Sequence, residues 1–300
     1  MQIKEINSQV IYDTPAFLQD VDLQYSKQIN NAATAIVHHG GRLVLLAGPS
    51  ASGKTTTAKL IARALEQHGI MAHVISMDHY FRPSVETAHL RNADGERDYE
   101  SPECLNQPLL REHFTKLSLG EEIMLPYFDF NLRQPKPSKF KPLRLDKCEV
   151  AIYEGIHALN ASLYEQCTAA AFKIYVSTQT DIYDGNEIIF DRKQLRFLRR
   201  VVRDNNFRAT DLVKTTEMWR GVLLGETAYI DPFKDSADLQ FDTFHAYELS
   251  VLAPFALPLF NAISDCIMIE KLQKILPVSA EMVDKLSLLR EFIGGGILKY

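Results

Sequence analysis

Residues 42–55 read Arg42-Leu43-Val44-Leu45-Leu46-Ala47-Gly48-Pro49-Ser50-Ala51-Ser52-Gly53-Lys54-Thr55. The run from Leu43 to Ala47 is short, wholly apolar and bounded by glycine on both sides (Gly40-Gly41 and Gly48), the pattern of a strand buried on both faces of a parallel sheet. Gly48 to Thr55 then satisfies G-x-x-x-x-G-K-[ST]. In such a loop, glycine permits the tight turn that points successive backbone N–H groups at phosphate oxygens. Lys54 is placed to reach the β- and γ-phosphates, and the Thr55 hydroxyl to take a Mg²⁺ position. Ala58, Ile61, Ala62 and Leu65 follow at i, i+3, i+4, i+7, so a helix opens at the loop and aims its N-terminal dipole at the anion. The expected triphosphate contacts are Gly48, Ser50, Ala51, Ser52, Gly53, Lys54, Thr55 and Thr56.

Three further apolar runs, 72–77, 150–153 and 172–177, alternate with helical patterns, which predicts an α/β fold: a mostly parallel sheet with helices on both faces. Residues 20–39 read as a helix ended by Gly40-Gly41. Residues 82–102 are polar. Residues 131–147 hold Pro135, Pro137 and Pro142 among lysines and read as a loop or a β-hairpin excursion. From about residue 244 onward the pattern is helical and densely apolar. The expected organisation is an N-terminal strand/helix extension (1–40), a nucleotide-binding domain (41–243) and a C-terminal helical extension packed on it (244–300).

A phosphate loop needs a carboxylate at a neighbouring strand end to hold Mg²⁺ or its water. Asp78 follows the run ending at Met77, and Glu154 follows Tyr153; ligands bind at this C-terminal edge in open α/β sheets. Residues 191–208 carry Arg192, Lys193, Arg196, Arg199, Arg200, Arg203 and Arg208 against only Asp191 and Asp204. Arg196, Arg199, Arg200 and Arg203 share one helical face, and the glutamates that would relieve their repulsion are missing locally. A bound polyphosphate would supply the charge, which reads the segment as a mobile lid stabilising the transferring phosphoryl group.

Composition narrows the rest. Hydrophobic residues make up 46% and charged residues 24% of the 300-residue chain, and the net charge of −5 argues against a general nucleic-acid binder. Cys104, Cys148, Cys167 and Cys266 lack zinc-ligand spacing and read as reduced, mostly packed thiols of a cytoplasmic protein. His38, His39, His79 and His157 read as structural rather than metal-binding, and Trp219 as packing on a helix. No window approaches the ~18 apolar residues of a membrane span, and Met1–Asp13 lacks the features of a signal peptide. The apolar C-terminal helices are compatible with homo-oligomerisation.

The motifs together resemble the uridine kinase/phosphoribulokinase group of P-loop kinases. The likeness runs from about residue 42 to 245. It rests on the phosphate loop, Met77-Asp78-His79-Tyr80-Phe81, Asp98-Tyr99-Glu100-Ser101-Pro102, Pro126-Tyr127-Phe128-Asp129-Phe130, Tyr153-Glu154-Gly155-Ile156 and Arg196 to Asp204. Glu154-Gly-Ile-His-Ala-Leu-Asn160 and Leu289-Arg-Glu-Phe-Ile-Gly-Gly295 are similar to bacterial uridine-kinase-like nucleoside kinases. Some of those carry an N-terminal threonyl-tRNA-synthetase-like region, for which this sequence is too short at its N-terminus. The resemblance implies an ATP- and Mg²⁺-dependent kinase with Glu154 and Thr55 on the metal and Asp78 on a nucleoside 5′-hydroxyl. It implies catalytic roles for Lys54, Arg199 and Arg203, with Arg196 on the donor. Phe81, Tyr99, Glu100, Phe128, Phe130 and Arg133 would meet the acceptor. Uridine kinases tend to have Tyr at the positions of Phe81 and Phe128, Asp at Glu100 and His at Arg133, so the acceptor pocket departs from the pattern. Arg133 would there suit an anionic or carbonyl-rich acceptor. Uridine or cytidine is the default small-molecule acceptor. The alternatives are a sugar phosphate, pantothenate or another alcohol, or a nucleotide sensor without turnover.

Overall fold

The structure is a computed structural model that describes residues 1–164 and 170–299; Cys167 lies outside the described residues. In chain order its elements are α1 (Ile3–His39), β1 (Leu43–Ala47), α2 (Lys54–Glu66), β2 (Met71–Ser76), α3 (Gln107–Ser118), β3 (Ile123–Leu125), β4 (Phe128–Asp129), β5 (Gln134–Pro135), β6 (Lys141–Leu143), β7 (Glu149–Glu154), β8 (Ala171–Ser177), β9 (Ile182–Asp184), β10 (Glu187–Phe190), α4 (Arg192–Phe207), α5 (Leu212–Tyr229), β11 (Leu239–Asp242), α6 (Glu248–Ala262), α7 (Cys266–Gln273) and α8 (Arg290–Ile293).

The four apolar runs become β1, β2, β7 and β8. With β11 they form one five-stranded sheet in the order β11-β8-β1-β7-β2, every pairing parallel. Strand alternation sorts the side chains into two cores. Val44, Leu46, Ile152, Ile174 and Val176 pack on one face with α1, α2, α4 and α6, while Leu43, Leu45, Ala151, Tyr153 and Tyr175 pack on the other with Leu110, Phe114 and Leu117 of α3. Because β1 lies between β7 and β8 while its own crossover runs through α2 to β2, the loop after β1 opens at a switch point of the sheet.

Two boundaries differ from the reading of the sequence. Residues 3–12 are helical rather than a strand, and only Gln2 makes a β-bridge, to Tyr183: Ile3, Ile6 and Val10 fall at i, i+3, i+7 and pack on the α1–α2 core. The helix breaks at Asp13 (φ −158°, ψ 86°). Asp13 accepts from the Ala16 N–H at 3.0 Å, which restarts the helix with Pro15 in its first turn. The C-terminal region is not helical throughout, since residues 274–289 are mostly irregular between α7 and α8. Its α6 packs on one face of the sheet, with Leu249, Val251, Leu252, Ala256 and Phe260 buried in the same core as α1 and α2. Cys148 and Cys266 are exposed rather than packed; Cys104 is buried.

The excursion between α3 and β7 is a double hairpin in which β3 pairs with β6 and β4 with β5, all antiparallel. A second hairpin, β9–β10, precedes α4 and has no counterpart in the sequence reading. No helix among the described residues is long and apolar enough to cross a membrane.

Candidate active site

A cavity of about 930 Å³ opens at the C-terminal edge of the sheet. One end is the loop after β1. Gly53 adopts a left-handed φ of 86°, and a Cβ there would lie 2.5 Å from Leu288. A Cβ on Gly48 would lie 2.0 Å from the Val176 carbonyl oxygen, so β8 can pass the loop only if this position is glycine. Ala51 is also left-handed (φ 59°), a conformation that costs an L-residue about 1–2 kcal/mol. The surrounding packing holds that strain in a loop built to present its N–H groups. Lys54 folds back to donate to the Pro49 carbonyl at 2.9 Å. Burial pushes its ammonium pKa down, opposed by Glu154, Asp78 and Glu291.

The carboxylates come from the adjacent strands. In the register, Glu154 at the end of β7 lies beside Leu46 of β1 and Ser76 of β2. The Thr55 hydroxyl donates to Glu154 Oε1 at 3.3 Å. Glu154 is 5% exposed, and burial, with Asp78 second, raises its carboxyl to about 7. Asp78 is exposed within the cavity, in a 3₁₀ turn that directly continues β2 and is capped by Ser76.

At the other end stand Phe81, Tyr99, Glu100, Leu125, Pro126 and Phe130. Asp98 accepts from the Glu100 N–H at 2.9 Å and from the Tyr229 hydroxyl at 2.9 Å, which ties this loop to α5. Burial raises the Glu100 carboxyl to about 7, against the opposing pull of Arg200 and Lys54. Phe128 is buried behind the cavity wall, its ring 5.8 Å from Phe81 and 5.2 Å from Phe130. His79 stacks on Tyr127 and accepts from the Phe128 N–H at 3.3 Å, so it fixes the hairpin to the Asp78 turn. Arg133 does not join this group. It sits exposed at the hairpin turn with φ 53°, on the far side of the β4–β5 connection from Phe130, and does not line the cavity.

The arginine stripe requires the main correction. Arg196 and Arg199 are buried outside the cavity, each already holding a protein carboxylate. Arg196 makes a two-pronged pair with Glu226 of α5 at 2.7–2.8 Å. Arg199 pairs with Glu248 of α6 and donates to the Thr243 carbonyl at 2.7 Å. Both also donate to the phosphate loop from behind, Arg196 to the Ser50 carbonyl at 3.1 Å and Arg199 to the Ala51 carbonyl at 3.4 Å. They brace the backbone of the loop from beneath, buried away from the cavity. Of the stripe's cations, Arg200, Arg203 and Arg208 reach the cavity, beside Lys54, Lys59 and Arg290 from other elements. Asp204 gathers the three from the stripe, at 3.2, 2.7 and 3.7 Å. Arg200 also donates to Ser50 Oγ at 2.9 Å. Gly48, Ser52 and Thr56 lie beneath the cavity surface, whereas Ser50, Ala51, Gly53, Lys54 and Thr55 line it.

A family model described as phosphoribulokinase/uridine kinase matches residues 43–250, which contain the loop, both strand-end carboxylates, the hairpin and α4. The chain belongs to this family. A uridine kinase of Staphylococcus haemolyticus is 29% identical over 202 residues, 66% of this chain and 85% of that protein. A uridine kinase of Schizosaccharomyces pombe is 28% identical over 178 residues, 59% of this chain but only 35% of that longer protein. Among solved structures, a possible uridine kinase from Bacillus stearothermophilus superposes with a TM-score of 0.51 at 19% identity, covering 73% of this chain and all of that one. The family is one of phosphotransferases with an alcohol acceptor, and its shared region stops before α7, residues 274–289 and α8.

Proposed function

We propose that this chain transfers the γ-phosphate of ATP, with Mg²⁺, to a hydroxyl of a small molecule, the 5′-hydroxyl of uridine or cytidine being the first candidate. The observation that carries the reading is that Asp78 and the Lys54–Thr55–Glu154 group line one cavity from adjacent strand ends. The donor set suits Mg²⁺: a hydroxyl and a carboxylate, both oxygen, with the carboxylate buried and in no ion pair among the described residues. Thr55 and Glu154 would hold the ion, which would supply positive charge to offset that of the donor's phosphates. Lys54 and Arg203 supply fixed positive charge where negative charge gathers on the transferred group. Asp78, exposed to the cavity, orients the acceptor hydroxyl and accepts its proton. Glu100 offers hydrogen-bond acceptors to vicinal hydroxyls, and Phe81 and Phe130 a planar face for a base.

Relatives named uridine kinase favour the nucleoside. One observation favours a different alcohol: Phe81, Phe128 and Phe130 bring only phenyl rings, with no polar group for the edge of a pyrimidine. A panel decides. The protein is incubated with Mg²⁺-ATP and uridine, cytidine, other nucleosides, ribulose 5-phosphate or pantothenate, and ADP release is followed. Turnover confined to uridine and cytidine supports the nucleoside. Turnover only with another acceptor replaces it. ATP binding with no turnover on any acceptor favours a nucleotide sensor.

A further inference from the structure

The region shared with the family ends at residue 250. Forty residues later the chain returns to the phosphate loop. Arg290, Glu291, Gly294, Gly295, Gly296 and Leu298 line the cavity, and Leu288 packs on Gly53. The contact is built in. Leu288, Leu289 and Phe292 are fully buried, and Arg290 donates to the carbonyls of Asp284, Ala280 and Gly294 at 2.9–3.1 Å and to that of Val283. With its neighbours anchored on either side, Glu291 is turned to the first turn of α2. Its Oε2 accepts from the Thr56 N–H at 3.2 Å and from the Thr56 hydroxyl at 2.6 Å.

Those two donors belong to the loop-to-helix junction that a phosphate would use. The first four N–H groups of a helix have no partner within it, and here they follow a phosphate loop directly. A carboxylate is an anion of similar hydrogen-bonding habit to a phosphate oxygen pair. It cannot share both Thr56 donors with a phosphate, and the two like charges repel at contact distance. A purely capping role would stabilise α2 and leave anion binding unchanged or weaker.

We infer that Glu291 is an internal competitor for the donor's phosphates: its carboxylate holds the Thr56 donors in this structure and must rotate away for the polyphosphate to bind. The C-terminal segment thereby sets donor affinity from outside residues 43–250, which the family model matches. The inference rests on the loop being the donor site, and the experiment separates the two.

Titration calorimetry of the full chain with tripolyphosphate and with ADP, both without Mg²⁺, is run on the parent, Glu291→Ala, Glu291→Gln and Lys54→Ala. Tripolyphosphate reads the phosphate site without base or metal. The expected result is roughly tenfold tighter binding of both anions by Glu291→Ala, the factor that about 1.4 kcal/mol makes. Glu291→Gln, which keeps the shape and an acceptor oxygen but not the charge, falls between; it serves alone if the alanine variant does not fold. Equal or weaker binding by the Glu291 variants, with binding by the parent abolished in Lys54→Ala, overturns the inference and leaves the donor site standing. Binding unaffected by Lys54→Ala, or no binding by any of the proteins, removes the donor-site reading and the inference with it.

Discussion

Helix α4 carries two kinds of arginine a single turn apart. Arg196 and Arg199 are sealed under Glu226 and Glu248 and touch the phosphate loop only through its carbonyls; Arg200 and Arg203 share Asp204 and face the cavity. In the sequence the four are indistinguishable, all on one helical face with no local glutamate. The difference lies in what the fold brings over them. α5 and α6 close on the first pair with carboxylates 30 and 49 residues away along the chain, while the second pair is held by Asp204 of the same helix and lines the cavity. A charge surplus counted within one helix therefore cannot be assigned to a ligand until the other elements have been packed against it.

The division can be broken by deletion. Arg199→Ala leaves Glu248 buried without its partner, and the fold should lose about 3–5 kcal/mol in denaturant unfolding. Replacing the pair together, Arg199→Met with Glu248→Leu, should recover most of that loss. If Arg199→Ala unfolds at the parent's midpoint, the brace is not structural. Arg203→Ala should behave oppositely. Asp204 keeps Arg200 and Arg208, so stability should fall by less than in Arg199→Ala, by about 1–2 kcal/mol, while turnover falls by about 10²–10³-fold. Parent-level turnover in Arg203→Ala would remove the cavity arginines from the chemistry.

The carboxylates divide in the same way, and pH reads the division. Burial raises both carboxyls, but Glu248 is ion-paired with Arg199, whereas Glu154 makes no ion pair among the described residues and is raised from 4.5 to about 7 against the pull of Lys54. In the unfolded chain Glu154 ionises above about 4.5; the folded protein keeps the proton until about 7. The folded state thus loses stability relative to the unfolded one as pH rises through that window. Glu154→Gln does not titrate. Without Mg²⁺ its stability relative to the parent should rise by about 1–3 kcal/mol between pH 4.5 and 7.5 and then level off. A constant gap would mean that Glu154 ionises normally in the fold. The smallest effect concerns the acceptor end. Phe81→Tyr restores a phenol in the aromatic wall, and should improve kcat/KM for a pyrimidine nucleoside by about tenfold, the worth of one net hydrogen bond. No change would show that the base does not lie against Phe81.

What was legible in the sequence was local. The loop after β1 announces itself because its chemistry needs particular residues at fixed spacing, and the strand-end positions of Asp78 and Glu154 follow from the apolar runs before them. The parallel sheet follows from the same runs. What stayed hidden depends on distance along the chain. Glu226, Glu248 and Asp204 are ordinary acidic residues until α4 is packed. Arg133 belongs to a motif segment but not to the cavity, because the hairpin turns it outward. Glu291 lies 235 positions from Thr56, and nothing in its neighbourhood except the glycines after it marks a cavity wall. The helical N-terminus was legible in principle, since Ile3, Ile6 and Val10 keep helical spacing; the polar residues between them read as alternation instead.

The account stands or falls on transfer itself. The parent and Asp78→Asn are each incubated with Mg²⁺-ATP and the acceptor panel, and the products are followed by phosphorus NMR. The account predicts a new phosphomonoester resonance appearing in step with ADP in the parent, slowed by about 10²–10⁴-fold in the variant. ADP and free phosphate without any phosphomonoester, or equal rates in the two proteins, would contradict it.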